Sequence, residues 1–200
     1  MKYTEEQDKV SYCLGLSIAS NLITSGVKTI STEPFMEALD AAFNGKMPEL
    51  SPDEANKILQ EFFTKVQEEQ AGAAIEAGKK FLSENAKKEG VTTLESGLQY
   101  EVITEGKGDL PKGTDNVKCH YHGTLIDGTV FDSSVNRGEP ATFPVNGVIA
   151  GWVEALQLMP VGSKWKLYVP SDLAYGAQGA GNLIGPHTTL IFEVELLEIV

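Results

Sequence analysis

The side chains best suited to chemistry in this sequence lie in one short stretch, HYHGTLIDGTVFDSS, at residues 120–134. His120 and His122 occupy alternate positions of a predicted strand, so they lie on the same face, as a pair of metal ligands would. A third ligand has no candidate nearby in the sequence, because His187 is distant. Histidines that hydrogen-bond within a sheet are therefore the favoured interpretation, and a metal site is the alternative.

Familiar enzyme motifs are missing from the sequence. It contains no G-x-S-x-G nucleophile elbow, no phosphate-binding glycine loop and no H-E-x-x-H motif. No Ser/His/Asp or Cys/His arrangement stands out either. The sequence therefore gives no support for nucleophilic catalysis and predicts neither a metal nor a cofactor.

Aromatic residues at the ends of predicted elements indicate another kind of site. Tyr121 lies on the strand face opposite the two histidines, and Phe131 ends the next strand beside the carboxylate of Asp132. Three further aromatics stand in comparable places, namely Trp152, Tyr175 and Phe192. The pattern leaves two interpretations, a site built from aromatics or the aromatic core of a small domain. Asp132 could likewise serve only to cap the turn in DSS.

The elements that would position these residues are strands. Beyond Gly90 the apolar period is two, in GLQYEVITEG, DNVKCHYHGTLIDGTVFDSS, KWKLYVPSDLAYG and TTLIFEVELLEIV. Between them, IAGWVEALQLMPVGS predicts one short helix that ends before Pro160. About five strands and a single helix predict an α+β unit, an antiparallel sheet curled over that helix.

The first half of the chain has helical spacing instead. One face of the first helix is formed by Val10, Cys13, Leu14, Ile18 and Leu22. The second helix presents Phe35, Leu39 and Phe43 on one face. Gly26 and Gly45 are placed to end the two helices, and Pro34 fits the beginning of the second. The first half is therefore predicted to be all α-helical.

A third helix has the clearest start in the sequence. Ser51 is a predicted N-cap, Pro52 fits the first helical position, and Glu54 completes a capping box. No proline follows before Glu89, and a continuous helix of that length would span about 57 Å. Its apolar face consists of Ala55, Ile58, Leu59, Phe62, Phe63 and Val66. The charged remainder predicts a solvated arm, and two helices broken near Gly72 are the alternative.

Composition restricts the partners and the compartment. The net charge is −12, and neither half offers the basic surface that nucleic acid or an anionic membrane requires. No apolar run approaches the roughly 20 residues of a membrane span, and the amino terminus is no secretory signal as written. Cys13 and Cys119 are expected to be free buried thiols in a reducing compartment. We therefore expect a cytoplasmic protein, or a periplasmic or surface protein if a signal has been removed.

Three longer segments resemble one known family. VKCHYHGTLIDGTVFDSS, EPATFPVNGVIAGWVEALQLMPVGSKWKLYVPSDLAYGAQGAG and PHTTLIFEVELLEI look like the FK506-binding protein (FKBP) family of peptidyl-prolyl cis-trans isomerases, over about residues 95–200. The helical half resembles the bacterial macrophage-infectivity-potentiator subfamily, in which it forms a V-shaped homodimer. The resemblance implies a dimerisation domain at 1–70, a helical arm at 71–91 and an isomerase domain at 92–200.

The resemblance also implies a site. By position, its catalytic residues are Tyr121, Phe131, Asp132, Trp152, Tyr175 and Phe192. Its substrate-binding residues are Arg137, Phe143, Val148, Ile149, Leu183 and Ile184. Asp132 would hold Tyr121 and Arg137 at the rim of the pocket. Three departures from the family pattern, Ala141, Ala180 and Gly185, make inhibitor affinity and peptide preference harder to predict than the activity.

The implied function is isomerisation of X-Pro bonds in peptides and folding proteins, without cofactor or metal. FK506-like macrolides are implied as inhibitors. The alternative is a non-catalytic chaperone that holds clients in the same pocket and in the dimer cleft.

Overall fold

A computed structural model describes residues 2–200 and divides the chain into two compact units. The first unit ends at Gln67 and the second runs from Glu68 to Val200. The division falls within a long helix, α3. No helix of residues 2–200 is both long enough and apolar enough to cross a membrane.

The first unit consists of helices, as the apolar spacing predicts. They are α1 (Glu6–Thr24), α2 (Thr32–Phe43) and the first part of α3 (Pro52–Asn85). Gly26 and Gly45 follow the first two helices with φ of 88° and 63°, a conformation that glycine adopts without strain. The predicted capping box is present, because the Ser51 and Glu54 side chains each accept a hydrogen bond from the other residue's main-chain N–H.

The last turns of α3 belong to the second unit and lie against its sheet. The helix continues through Gly72 without a break, and Gly78 and Asn85 are buried. Asn85 donates to the side chain of Gln99 at 2.9 Å, and the Phe81 ring lies 5.9 Å from the ring of Tyr168. The prediction of a solvated arm is therefore wrong for Gly78–Asn85.

The close approach of α3 to the sheet at Gly78 explains why composition predicted a solvated helix here. A Cβ added at Gly78 would overlap the hydroxyl of Thr189, so the helix lies on the sheet because this position lacks a side chain. A helix face of small residues can pack closely without the large apolar side chains that usually indicate burial.

The second unit contains one antiparallel sheet. Its strands are β1 (Val91–Thr93), β2 (Gln99–Thr104), β3 (Asn116–Leu125), β4 (Val130–Ser133), β5 (Ala141–Pro144), β6 (Lys164–Val169) and β7 (Leu190–Ile199). The order is β1-β2-β6-β7-β3-β4, and β5 pairs with β3 beyond the section that pairs with β4. The described residues thus hold seven strands rather than about five, because β1 and β5 are too short to show alternation.

Two short helices complete this unit, α4 (Ser134–Arg137) and α5 (Ala150–Leu156). The buried face of α5 packs into the curled sheet, and the core so formed includes Trp152, Leu156, Val117, Leu167 and Val194. The α+β architecture predicted from the sequence is therefore confirmed.

The two cysteines differ in their surroundings. Cys119 lies in this core, and burial raises the pKa of its thiol to about 12, so it is expected to be unreactive. Cys13 is exposed on α1, and the expectation that both thiols are buried is wrong for this residue.

Candidate active site

A cavity of about 640 Å³ opens between α5, the inner face of the sheet and two loops of the second unit. Strands β3, β4, β5 and β7 each contribute an aromatic to it, and the segment before α5 contributes aliphatic side chains. Its lining is Tyr121, Phe131, Asp132, Phe143, Gly147, Val148, Ile149, Trp152, Tyr175, Ala180, Gly181, Asn182, Leu183, Ile184 and Phe192. Eleven of the twelve site residues implied by the resemblance lie in this lining, and Arg137 lies outside it.

Trp152 is the floor of the cavity and is 5% exposed. Three aromatic rings stand edge-on around it: Tyr121 and Phe143 with centroids at 5.5 Å, and Phe192 at 5.2 Å. Phe131 extends this wall, with its ring 5.4 Å from that of Phe192 and nearly perpendicular to it. Edge-to-face contacts of this kind favour one arrangement of rings, so the cage is preorganised around an apolar space.

One glycine in β3 makes room for this wall, and sequence reasoning missed it. A Cβ at Gly123 would lie 2.6 Å from the Phe131 ring and 3.1 Å from the Phe192 ring. Gly123 pairs with Asp132 across the β3–β4 ladder, so Phe131 can fold its ring over the empty position. A glycine inside a strand pattern often indicates such a close approach and could have identified the residue.

At the rim, three side chains form a clasp composed of Tyr121, Asp132 and Arg137. The Tyr121 hydroxyl donates to Asp132 Oδ2 at 2.6 Å and accepts from Arg137 Nη2 at 2.9 Å. Arg137 also donates to Asp132 Oδ1, which closes the triangle. The guanidinium lies 5.6 Å from the centre of the Tyr121 ring. Each member is therefore held by the other two, with the Tyr121 ring fixed against Trp152.

The clasp sets the protonation of its members. Partial burial raises the pKa of Asp132, but the hydrogen bonds from Tyr121 and Arg137 outweigh it and leave that pKa below its usual value. Burial, together with the Asp132 hydrogen bond, raises the pKa of the Tyr121 hydroxyl. At neutral pH the acid is therefore ionised and the phenol is protonated, as the clasp requires.

Asp132 is not the residue that caps the following turn. Ser133 has this role, since its hydroxyl accepts the main-chain N–H of Asn136 at 3.1 Å at the beginning of α4. The contacts that the resemblance implies for Asp132, to Tyr121 and Arg137, are both present.

His120 and His122 lie on the outer face of β3, away from the cavity lining. Their Nδ1 atoms are 3.1 Å from the Ser134 hydroxyl and 2.9 Å from the Ser133 hydroxyl, respectively. The prediction of hydrogen-bonded sheet histidines is confirmed by these contacts.

The loop from Tyr175 to Ile184 forms the outer edge of the cavity. Its tip is a tight hairpin, because the main chains of Ala180 and Ile184 exchange hydrogen bonds of 2.8 and 3.2 Å. Tyr175 and Leu183 are 41% and 52% exposed, so this edge faces solvent. Ala180 is the one departure from the family pattern that reaches the lining, and Ala141 and Gly185 do not.

Gly147, Gly181 and Asn182 also line the cavity, although sequence reasoning did not single them out. Gly181 adopts φ of 57° at the hairpin tip, which favours glycine, and it stands next to Asn182. Gly181 and Asn182 reach the lining because of this turn, and Gly147 because it ends the short 3-10 segment Val145–Gly147 before α5.

The chemistry available to this site is binding in a shaped space with a mostly apolar lining. Most of the lining is aromatic or aliphatic, and the carboxylate and the Tyr121 hydroxyl are bonded within the clasp. Such a cavity can accept a compact apolar ring and exclude water from its surroundings.

Comparisons with known proteins agree with this site. Residues 108–197 match the family model described as FKBP-type peptidyl-prolyl cis-trans isomerase. Residues 7–102 match the domain amino terminal to FKBP-type peptidyl-prolyl isomerase.

Relatives match over nearly the whole chain. The FKBP-type 22 kDa peptidyl-prolyl cis-trans isomerase of Escherichia coli is 52% identical, over 96% of this chain and 94% of that protein. The peptidyl-prolyl cis-trans isomerase Mip of Coxiella burnetii is 43% identical, over 97% of this chain and 87% of its own. The crystal structure of FkpA from Escherichia coli superposes with a TM-score of 0.73 at 37% identity, with 98% of each chain covered.

These matches confirm the family and subfamily implied by the sequence, and they favour an isomerase over the non-catalytic chaperone. The chain belongs to the FKBP-type peptidyl-prolyl cis-trans isomerase family.

Proposed function

We propose that this isomerase binds the proline ring of an X-Pro bond on Trp152, within the cage of aromatic side chains, and that the dry cage lowers the barrier to rotation. The observation that carries the proposal is the set of three rings standing edge-on around a buried indole. This space has the apolar lining and the compact form that a pyrrolidine ring requires.

The rotation barrier of an X-Pro amide is about 18–20 kcal/mol, because resonance gives the C–N bond double-bond character. The twisted transition state has less charge separation than either planar form. A dry apolar cage therefore stabilises the transition state relative to the planar amide, and only such differential binding accelerates the step. No proton transfer and no covalent bond to the protein are needed.

Tyr175 is the group at the rim that we assign to the substrate carbonyl. Its side chain lines the cavity and is 41% exposed, so its hydroxyl can reach a bound peptide. The clasp has a different role, because its hydrogen bonds are made within the protein. It holds the Tyr121 ring upright against Trp152.

The test is a measurement of prolyl-bond exchange by NMR, on a short Leu-Pro or Phe-Pro peptide with catalytic amounts of the protein. We expect cis-trans exchange to rise in proportion to protein concentration. Exchange at the uncatalysed rate, with the peptide demonstrably bound, would contradict catalysis and leave a binding module.

The same cavity is proposed to bind FK506-like macrolides. We expect micromolar or tighter inhibition, because the family resemblance implies these inhibitors and the cavity has the apolar lining that an apolar ligand requires. Ala180 provides less contact at the edge than a larger residue would, so the affinity should fall below that of a site with a larger side chain. Titration of inhibition against drug concentration measures this directly.

We further propose that the first unit makes the protein a homodimer. None of residues 2–67 is buried, although their helices carry many large apolar side chains. Ile23 and Phe43 are 69% and 85% exposed, and the face of α3 remains open at Ile58 and Leu59. Helices that bury no residue lack the core that a stable fold needs, and small helical units usually obtain it by association.

A second copy of this chain would supply matching faces and cover them all. Sedimentation equilibrium should give a dimer at micromolar concentration. A monomer with an intact helical circular dichroism spectrum would overturn the proposal.

A further inference from the structure

The outer strand β4 ends one residue too early to hold the main chain of Tyr121. In the β3–β4 ladder, Gly123 pairs with Asp132 and His122 pairs with Ser133. The next residue, Ser134, begins helix α4 and leaves the ladder. Tyr121 thus has no strand partner on this side, where an antiparallel ladder would bond both of its main-chain polar groups.

The side chain of Ser134 takes the place of the missing strand. Its hydroxyl accepts the Tyr121 N–H at 2.7 Å and lies 3.2 Å from the Tyr121 carbonyl, to which it can donate. A serine hydroxyl can do both, because it has one proton and two lone pairs. Ser134 is 0% exposed, so water cannot replace it.

One neighbour contacts this hydroxyl, and a second buried serine contacts the same Tyr121 carbonyl. His120 Nδ1 lies 3.1 Å from the Ser134 hydroxyl on the outer face of the sheet. Ser133, 5% exposed, caps α4 and lies 3.5 Å from the same Tyr121 carbonyl. Two buried serines therefore connect the main chain of β3 to the start of the helix that carries Arg137.

The contacts of Ser134 and the clasp act on the same residue, Tyr121. The main chain of Tyr121 is held by Ser134, while its side chain reaches Asp132, Arg137 and the floor of the cavity. Asp132 lies in β4 two residues before Ser134, and Arg137 ends α4, so both flank the turn from β4 into α4. Any displacement of this turn moves both partners of the Tyr121 hydroxyl with respect to its ring.

We propose that Ser134 is a positioning residue of the isomerase, which anchors the Tyr121 main chain so that the clasp holds the Tyr121 ring against Trp152. This inference deepens the proposed function and rests on it, since the ring is taken to form part of the proline-binding cage. Ser134 itself does not touch the cavity. Its effect on catalysis passes through Tyr121.

The test compares Ser134→Ala with Ser163→Ala in the full-length protein. Ser163 is a matched control, because it is also 0% exposed and its hydroxyl also accepts a main-chain N–H, that of Gly106 at 2.9 Å, away from the cavity. On a Leu-Pro peptide, Ser134→Ala should lower kcat about tenfold and change KM less than about twofold, since it disturbs geometry that matters in the transition state. Ser163→Ala should leave both constants near wild type.

A double-mutant cycle with Tyr121→Phe separates positioning from general destabilisation. If Ser134 acts through the Tyr121 hydroxyl and its clasp, adding Ser134→Ala to Tyr121→Phe should cost far less than it costs alone. Full additivity in kcat would overturn the proposal. Equal losses in Ser134→Ala and Ser163→Ala would also overturn it, because they would show that any buried serine has this effect.

Ser134→Cys continues the test if the alanine variant does not fold, because the slightly larger thiol leaves no cavity but hydrogen-bonds weakly. NMR should show faster hydrogen exchange at the Tyr121 amide, together with a smaller fall in kcat. Faster exchange with unchanged kcat would overturn the role of Ser134. Failure of the proposed function is distinguishable, since wild-type protein would then leave prolyl exchange at the uncatalysed rate.

Discussion

The two units of this chain differ in how far they bury their apolar side chains. Every buried core residue lies between Leu98 and Leu196, in the second unit, where the sheet wraps α5. In the first unit none of residues 2–67 is buried, although α1–α3 have clear apolar faces. Apolar spacing therefore identifies the face of a helix that must be covered, but not what covers it. In the second unit the cover is the chain itself, and in the first we propose that it is another copy.

All residues that line the cavity lie in the second unit, so we expect peptide catalysis to depend on that unit and on its aromatic cage. Phe131→Ala and Trp152→Ala should each lower kcat/KM on a short Leu-Pro peptide about 100-fold, or about 2.7 kcal/mol of transition-state stabilisation. The reason is that removing a ring admits water and destroys the shape of the cage. Prolyl exchange by NMR measures the loss.

The controls for this prediction are two aromatics of the same unit that lie outside the cavity. Phe81 packs on Tyr168, and Trp165, 5% exposed like Trp152, stacks on Tyr100 at 4.3 Å. Phe81→Ala and Trp165→Ala should lower stability but leave kcat/KM of the folded protein within about twofold. Comparable losses of activity in all four variants would mean that the cage has no special role.

The contribution of the first unit should appear only with large substrates. A fragment from Glu68 to Val200 keeps the cavity, the sheet and the docked end of α3. We expect a monomer with a near wild-type rate on a tetrapeptide and an about tenfold lower rate on a protein whose refolding waits for proline isomerisation. In the dimer that we propose, a chain bound at one site would remain near the other, which would raise the effective concentration of the catalyst.

Sedimentation of the full chain and of the fragment, with both rate assays, decides this prediction. A fragment equally active on both substrates would leave the helical unit without a part in catalysis. A second fragment beginning at Thr92 tests the docked helix, since it lacks the contacts of Phe81 and Asn85. It should unfold at lower urea concentration than the fragment from Glu68.

The sequence predicted most of the residues that line the cavity, because the aromatic cage lies on strands and one short helix whose patterns are visible in the sequence. Phe131 and Asp132 are the middle residues of β4, and Phe192 lies on β7; the structure brings all three into the cavity lining, where the family resemblance implies them. The sequence did not predict lining residues in tight turns, such as Asn182, because the main-chain geometry of the hairpin sets their positions.

Close packing was also hidden from the sequence. Gly123 and Gly78 allow close packing because they have no side chain. Hydrophobic patterns depend on the side chains that are present, so they give no sign of either contact. Such contacts depend on which strand or helix packs against the glycine, and the tertiary structure is needed to identify that element.

Alanine substitutions at two glycines of α3, Gly72 and Gly78, test where the solvated part of the helix ends and the part packed on the sheet begins. Gly72→Ala has nothing within 4 Å of the new Cβ, so it should stabilise the protein by about 0.5–1 kcal/mol through helix propensity. At Gly78 the new Cβ would overlap Thr189, so Gly78→Ala should destabilise by about 1–2 kcal/mol despite the same gain in propensity.

Urea unfolding monitored by tryptophan fluorescence measures both effects, because Trp152 and Trp165 report on the second unit. Each glycine serves as the control for the other, since both changes are identical and both positions lie in one helix. The same sign at both positions would mean that the end of α3 is not docked in solution.

The smallest expected effect is that of Asp132→Asn. The amide keeps an acceptor for the Tyr121 hydroxyl but loses the charge that pairs with Arg137, so peptide activity should fall only about two- to fivefold. Asp132 and Arg137 are 43% and 52% exposed, and solvent therefore screens their attraction. A loss larger than that of Phe131→Ala or Trp152→Ala would replace the apolar account of catalysis with an electrostatic one.

The pH dependence of stability tests the same carboxylate independently. Its pKa is lowered in the folded protein, so the unfolded chain binds more protons here than the folded chain as the solution is acidified. The stabilisation from Asp132 is thus fully present above the unfolded pKa of about 3.9 and is lost as the pH falls through the lower folded pKa. Wild type should exceed Asp132→Asn in urea midpoint at pH 7, and the gap should close in acid, as the pH falls below about 3.9 and through the lower folded pKa. A gap that persists there would show that the variant loses packing, and not the charged form of the clasp.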